Sequence, residues 1–215
     1  MPQYLLFYKP YGVLSKFTDR EGRPTLSAYI SIPRVYPAGR LDMKSEGLLL
    51  LTDDKVVLHR VTDPRWKLPK TYLVQVEGTP DEEALQRLRG GVIIKGYRTA
   101  PAEVELLSSL PLPIPERPVR AYGPTSWLLI TLREGKKRQV RRMTAAVGHP
   151  TLRLIRISIG PLNLGTLQPG EWRFLTEQER QALFQALHIP PGGIRWQRRR
   201  QTRRRSQPRK RRPRK

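Results

Sequence analysis

A carboxylate can do covalent chemistry only if it is aimed, accompanied by a cation and left approachable. One stretch of this sequence has the residue types for that. Val35 to Asp54 reads as a short apolar strand, a tight polar loop bounded by Gly39 and Gly47, and a second strand built on Leu48-Leu49-Leu50-Leu51, closed by Asp53 and Asp54. Asp42 lies at the tip of the loop with Arg40 two positions before it. The two glycines permit a sharp turn and the close approach of another backbone, and Leu41 with the leucine run anchors the loop to a core. A second reading is open on these residues alone: Asp42 as the N-cap of a single helical turn that Gly47 ends.

Two strands have to carry this loop, and the rest of the chain supplies their neighbours. Tyr4 to Tyr8 is an apolar strand that runs into the turn Lys9-Pro10-Tyr11-Gly12. Asp53 to Val61 has the apolar spacing of a short helix. Lys70 to Gly78 alternates as a half-buried strand, with Tyr72, Val74 and Val76 on one face. Thr79-Pro80-Asp81-Glu82 predicts a capping box and a helix closed by Gly90-Gly91. Strands are predicted over 91–94, 102–107, 126–133, 152–159 and 171–175.

Five prolines between residues 108 and 125 rule out regular structure there, and a loop of that length is expected to border the ligand. Lys136 to Gly148 predicts a helix with Val140, Met143 and Val147 as its apolar stripe and Arg138, Arg141 and Arg142 sharing a neighbouring face. Thr176 to Glu179 is a second capping box, starting a helix through Leu187. Strands joined by turns and short helices predict an α+β fold, with helices flanking a mixed, mainly antiparallel sheet.

The 215 residues carry 41 lysines and arginines against 18 acids, a net charge of +23. From Arg195 onward there are 13 basic residues and no acid, so the remainder still holds 28 against 18. A one-signed excess of this size calls for a polyanion, with nucleic acid the leading candidate. No apolar run approaches the roughly 20 residues of a membrane span. There is no cysteine for a disulfide or thiolate site, which suits a reducing cytoplasm. His59, His149 and His188 lack ligand spacing, and no phosphate-gripping glycine motif occurs, so neither a metal nor a cofactor is expected. Residues 1–194 are expected to form one folded domain and 195–215 a disordered Arg/Lys-rich tail.

Six ordered segments resemble the bacterial pseudouridine synthases that modify ribosomal RNA. They are the Lys-Pro-x-Gly turn at Lys9, Gly-Arg-Leu-Asp at Gly39 with the leucine run, Lys-x-Tyr-x-Val-x-Val-x-Gly at Lys70, Glu-Gly-Lys-x-Arg-Gln-Val-Arg-Arg-Met at Glu134, Leu-x-Arg-x-x-Ile-Gly at Leu154, and Leu-x-Pro-Gly-Glu-Trp-Arg-x-Leu-Thr at Leu167. Lys136 stands where the family usually has Arg, Ser45 where Thr is frequent, and the basic tail lies outside the pattern. The likeness begins at Tyr4, so the small amino-terminal RNA-binding module of most relatives is expected to be missing.

The resemblance implies a two-lobed fold around a central cleft and conversion of a specific uridine to pseudouridine without a cofactor. It makes Asp42 the nucleophile, places Arg40 in the gap left by the target base, packs Tyr72 against the extruded uracil and pairs Arg141 with Asp42. Lys9, Lys136, Lys137, Arg138 and Arg142 are expected to hold the RNA. The implied partner is ribosomal RNA, in particular 23S RNA or a large-subunit assembly intermediate, met in the cytoplasm by a monomer. Two other classes stay open on the residues: a non-catalytic RNA-binding factor, and a glycoside hydrolase using Asp42 with Glu46. Deleting residues 196–215 should flatten the salt dependence of RNA binding without changing which nucleotide is modified, as filter binding across a salt series and pseudouridine mapping would read.

Overall fold

The computed structural model describes residues 2–190, so the expected basic tail lies outside the described residues. The chain runs through β1 (Tyr4–Lys9), β2 (Tyr36–Pro37), β3 (Glu46–Thr52), α1 (Lys55–Thr62), β4 (Lys70–Glu77), α2 (Glu82–Gly90), β5 (Ile93–Ile94), β6 (Tyr97–Arg98), β7 (Glu103–Leu107), β8 (Thr125–Leu132), α3 (Gln139–Ala146), β9 (Thr151–Ile159), β10 (Leu162–Asn163), β11 (Trp172–Phe174) and α4 (Glu177–Ala186). Nine strands form one sheet in the order β11-β1-β3-β9-β4-β8-β7, with β2 on β3 and β10 on β9; β5 and β6 make a separate hairpin. Every pairing in the large sheet is antiparallel except β3 with β9. The α+β architecture expected from the sequence is the one observed.

The leucine run is continuous because β3 is covered on both faces. Leu48 and Leu50 pack with Leu6, Tyr8, α1 and α4 on one side, while Leu49 and Leu51 pack with Leu5, Phe7, Leu26 and Ile30 on the other. Each of these leucines is withdrawn from water, worth roughly 1.5–3 kcal/mol apiece. The α1/α4 cluster extends along its face to Leu73 and Ile155. On the opposite face there are two clusters: the one around Leu49 and Phe7, and another of Val74, Val76, Leu128, Ile130 and Leu154 under α2 and α3. Those two clusters are the lobes, and a cleft opens between them. On β4 the fully covered Leu73 sits between the partly exposed Thr71 and Gln75, so the strand is half-buried as its alternation suggested.

Local corrections have local causes. The cap of α2 is Asp81, whose carboxylate accepts from Ala84 N at 2.8 Å, not Thr79, which bonds Ser126 through its hydroxyl at 3.0 Å. The second capping box is present, with Thr176 and Glu179 each accepting the other's backbone N–H. α3 starts at Gln139, three residues later than its pattern suggested, because Arg138 is left-handed (φ 54°). Arg138 therefore does not share a helical face with Arg141 and Arg142.

Gly47 is where the halves of the sheet touch. β3 and β9 pair at only two positions, Glu46 with Ile155 and Gly47 with Arg156. A Cβ on Gly47 would sit 2.3 Å from the Arg156 carbonyl oxygen, and its φ is +99°. Gly12 is equally left-handed (φ +81°) but has nothing within 4 Å. Gly47→Ala should therefore cost well beyond the ~1–2 kcal/mol of a left-handed alanine, and Gly12→Ala about that alone; urea midpoints of the two variants provide the comparison.

Candidate active site

One row of residues crosses four strands in register: Lys9 on β1, Gly47 on β3, Arg156 on β9 and Tyr72 on β4. Cross-strand partners share a face, so this row forms the sheet's floor between the two lobes. Gly47 has no side chain there because the Arg156 backbone fills the space, and the loop bearing Asp42 lies directly before β3. Beyond Gly47 the strands part, and Arg156 Nε donates to Leu48 O at 2.8 Å across the divergence.

The loop is held by its backbone. Ser15 Oγ accepts from Leu41 N at 3.0 Å and donates to Leu41 O at 2.8 Å, fixing the residue before Asp42. Gly12 N donates to Met43 O at 2.9 Å, and Ser45 N to Asp42 O at 3.0 Å. Lys9 Nζ reaches Pro10 O and Val13 O at 2.7 Å each and Met43 O at 3.4 Å. Lys9 is 0% exposed, and burial lowers its pKa to about 8 although Glu46 and Asp42 pull the other way. It is thus an internal brace between the first turn and the Asp42 loop. The expectation that it contacts RNA is corrected, since its ammonium is spent on carbonyls that the turn folds inward around it.

The Asp42 carboxylate itself is left free. Among the described residues it accepts no protein hydrogen bond and has no cation within ion-pair distance. The helix-cap reading therefore fails: Met43 and Lys44 form a turn, and the carboxylate caps nothing. Arg141 is brought to the loop but does not pair directly with Asp42. Its Nη2 donates to Lys44 O at 2.6 Å and its Nη1 to Thr151 O at 3.2 Å, tying the loop to β9. Burial first, then the charge of Arg138, lowers the Arg141 pKa, while the Asp42 charge acts in the opposite direction. Arg141 thus supplies positive field and a backbone clamp to the loop, in place of the direct pairing that the family resemblance implied.

The cleft has a volume of about 660 Å³. Asp42, Arg40, Ser45, Tyr72, Leu132 and Leu154 line it, and Lys136, Lys137 and Arg138 stand along one side with Lys16 on another. Tyr72 is half-buried and packs against the α2/α3 lobe, leaving part of its ring for the cleft. The basic loop is shaped by Gln139, which accepts from Lys136 N at 2.9 Å and donates to Glu134 at 2.5 Å. Glu134 also accepts Ala100 N, so it serves as an anchor. Arg142 is half-buried and does not line the cleft.

Glu46 is the other carboxylate near the loop. It is 3% exposed, accepts two hydrogen bonds from Arg153 at 3.0 and 2.8 Å and one from Arg117 at 2.9 Å, and faces the α1/α4 side of the sheet with Leu48. It cannot flank a bond held at Asp42, which removes the two-carboxylate arrangement of a glycoside hydrolase. No cluster of three metal-type ligands occurs among the described residues. Sequence reasoning missed Ser15, Gln139 and the Glu46–Arg153 pair as parts of the site. Gln139 lies inside the segment that starts at Glu134, which was the available signal for it; Ser15 and Arg153 lie outside the six segments, and no partner was legible for any of them.

A cationic cleft holding Asp42, on a mixed sheet with the strand order found here, suits a protein that acts on nucleic acid. The chain belongs to the family described as RNA pseudouridylate synthase, whose profile matches residues 3–146. It is 52% identical over 171 residues to ribosomal large subunit pseudouridine synthase E of Vibrio parahaemolyticus, covering 79% of this chain and 72% of that protein. With the protein of the same description from Xanthomonas campestris it shares 55% over 174 residues, covering 79% and 93%. A solved structure described as a pseudouridylate synthase superposes with a TM-score of 0.73 at 32% identity, over 85% of this chain and 74% of that one. The protein is an isomerase of this family.

The placements of Lys9 and of the basic loop separate two roles for positive charge. Lys9→Met should strand three inward carbonyls and cost about 2–4 kcal/mol of stability without altering the salt slope of RNA binding. Lys137→Ala should leave stability unchanged and reduce that slope by about one. Denaturant titration and binding across a salt series distinguish them.

Proposed function

We propose that the protein converts a specific uridine of large-subunit ribosomal RNA to pseudouridine in the cytoplasm, with Asp42 as the nucleophile. The observation that carries this reading is the Asp42 carboxylate, its loop clamped through the backbone on both sides yet itself unpartnered among the described residues, in a basic cleft. Large-subunit ribosomal RNA is the substrate because two relatives described as ribosomal large subunit pseudouridine synthase E are identical to this chain at more than half of the aligned positions, over 79% of its length.

Reaching a glycosidic bond within folded RNA requires extruding the nucleotide, at a cost of a few kcal/mol. Arg40, exposed at the rim, is long enough to occupy the vacated gap. Tyr72 offers the extruded uracil an aromatic surface, a contact of the kind worth roughly 1–3 kcal/mol. Lys136, Lys137 and Arg138 hold the flanking phosphates. Asp42 then assists rupture of the N1 to C1′ bond, the uracil turns in the pocket, and C5 joins C1′ while the proton on C5 is lost and N1 gains one. Arg141 keeps the loop aimed during these steps through its hydrogen bond to the Lys44 carbonyl.

A non-catalytic RNA-binding factor on the same fold would use the basic loop but not the free carboxylate. Asp42→Asn is isosteric and removes only the negative charge. We expect it to abolish pseudouridine formation on a large-subunit RNA transcript, a loss of at least three orders of magnitude in rate on the scale of other covalent nucleophiles, with RNA affinity retained or slightly raised. Persistent modification by the variant, scored by chemical mapping of pseudouridine, would remove Asp42 from the mechanism.

A further inference from the structure

Tyr11 is part of the first turn, yet neither the lobes nor the cleft claim its ring. It is 42% exposed, whereas Tyr4, Phe7 and Tyr8 just before it are buried in the clusters. Its neighbour Gly12 is hydrogen-bonded to Met43, next to Asp42, so the ring stands beside the catalytic loop. One face is covered by the Arg117 guanidinium, whose central carbon lies 4.3 Å from the ring centroid.

Arg117 is itself fixed: its Nε donates to Glu46 Oε1 at 2.9 Å, and Arg153 holds the preceding Pro115 carbonyl at 2.9 Å. The buried Glu46 therefore steadies two arginines, and the assembly of Glu46, Arg117 and Arg153 keeps a net positive charge. A rigid aromatic ring backed by a guanidinium, exposed beside a site that must handle an extruded nucleotide, has the chemistry of a base-stacking surface. A nucleotide next to an extruded one has lost a stacking partner, and such a surface replaces it. The proline-rich segment carries a similar pair further along, with Arg120 5.2 Å from the ring of Tyr122, which is 78% exposed.

We propose that Tyr11, backed by Arg117, is a stacking subsite for an unpaired base of the RNA adjoining the extruded uridine. The proposal rests on the RNA reading of the cleft and adds a residue outside the sequence's expected site. It explains why the proline-rich loop is tied to the start of β3, since that tie sets the position of the guanidinium behind the ring.

The test compares wild type, Tyr11→Phe and Tyr11→Ala for binding to a short uridine-rich single-stranded RNA and to an abasic ribose-phosphate oligomer of equal length, by fluorescence anisotropy at fixed salt. Tyr11→Ala should weaken RNA binding about 5- to 100-fold and leave the abasic affinity unchanged, while Tyr11→Phe matches wild type on both. Equal weakening on the two probes means that Tyr11 serves only to seat Arg117 and overturns the proposal, as does unchanged RNA binding by Tyr11→Ala. Pseudouridine formation by the wild type on large-subunit RNA, assayed separately, reports the enzymatic reading. Failure of that reading leaves the two-probe comparison intact, and failure of the stacking subsite leaves the activity in place.

Discussion

The two halves of the sheet are joined where β3 meets β9, over two residue pairs, and one of these depends on a residue with no side chain. Everything chemical is arranged around that contact. On one side of it are β1 and β3 with the braces Lys9 and Ser15; on the other are β9 and β4 with Tyr72. Because pairing stops after Gly47, the strands separate there, and Arg156 bridges the divergence by taking the Leu48 carbonyl. The cleft is the space that results when two lobes on one face of a sheet are held together at so narrow a seam.

Charge is distributed in the site according to depth. The buried cations Lys9 and Arg153 are spent on carbonyls and on Glu46, while Arg156 gives its Nε to the Leu48 carbonyl and keeps a buried Nη2 without a partner among the described residues. The exposed ones, Arg40, Lys136, Lys137 and Arg138, are left with the freedom to meet phosphate. Asp42 is the exception among the acids near the loop, because the backbone of its loop is fixed by others while its own carboxylate is not consumed. A site of this kind separates positioning from chemistry. The residues that aim the carboxylate act on main-chain atoms and leave the reacting group unencumbered.

Much of this was legible in the sequence. The leucine run, the alternation around Tyr72, Leu128 and Ile130, and the Thr176 capping box reported real elements because periodicity and caps are local properties. Asp42 was legible as a candidate because two glycines and a buried anchor flank it, and Gly47 as a point of close approach. What escaped was set by distant partners. A lysine at the head of a Lys-Pro-x-Gly turn reads as a surface cation, and only the inward curl of the carbonyls at 10, 13 and 43 makes it a core residue. Arg141 reads as a counterion for Asp42, yet its reach is taken up by Lys44 and Thr151. The capping box predicted at Thr79 gave way to a cap at Asp81, and the Ser126 hydroxyl that engages Thr79 is a partner the local sequence does not name. The left-handed Arg138 depends on a clamp by Gln139 that no helical periodicity encodes.

The central place of β9 has a consequence for how the protein comes into being. It is inserted between β3 and β4, both laid down far earlier in the chain, so the row from Lys9 to Tyr72 closes only when a late strand docks between two early ones. Contacts of such long sequence separation form slowly and late. During synthesis the start of β3 and one edge of β4 must wait unpaired, a state prone to association with other chains. The row from Lys9 to Tyr72 is therefore complete only once β9, which ends at residue 159, has joined the sheet.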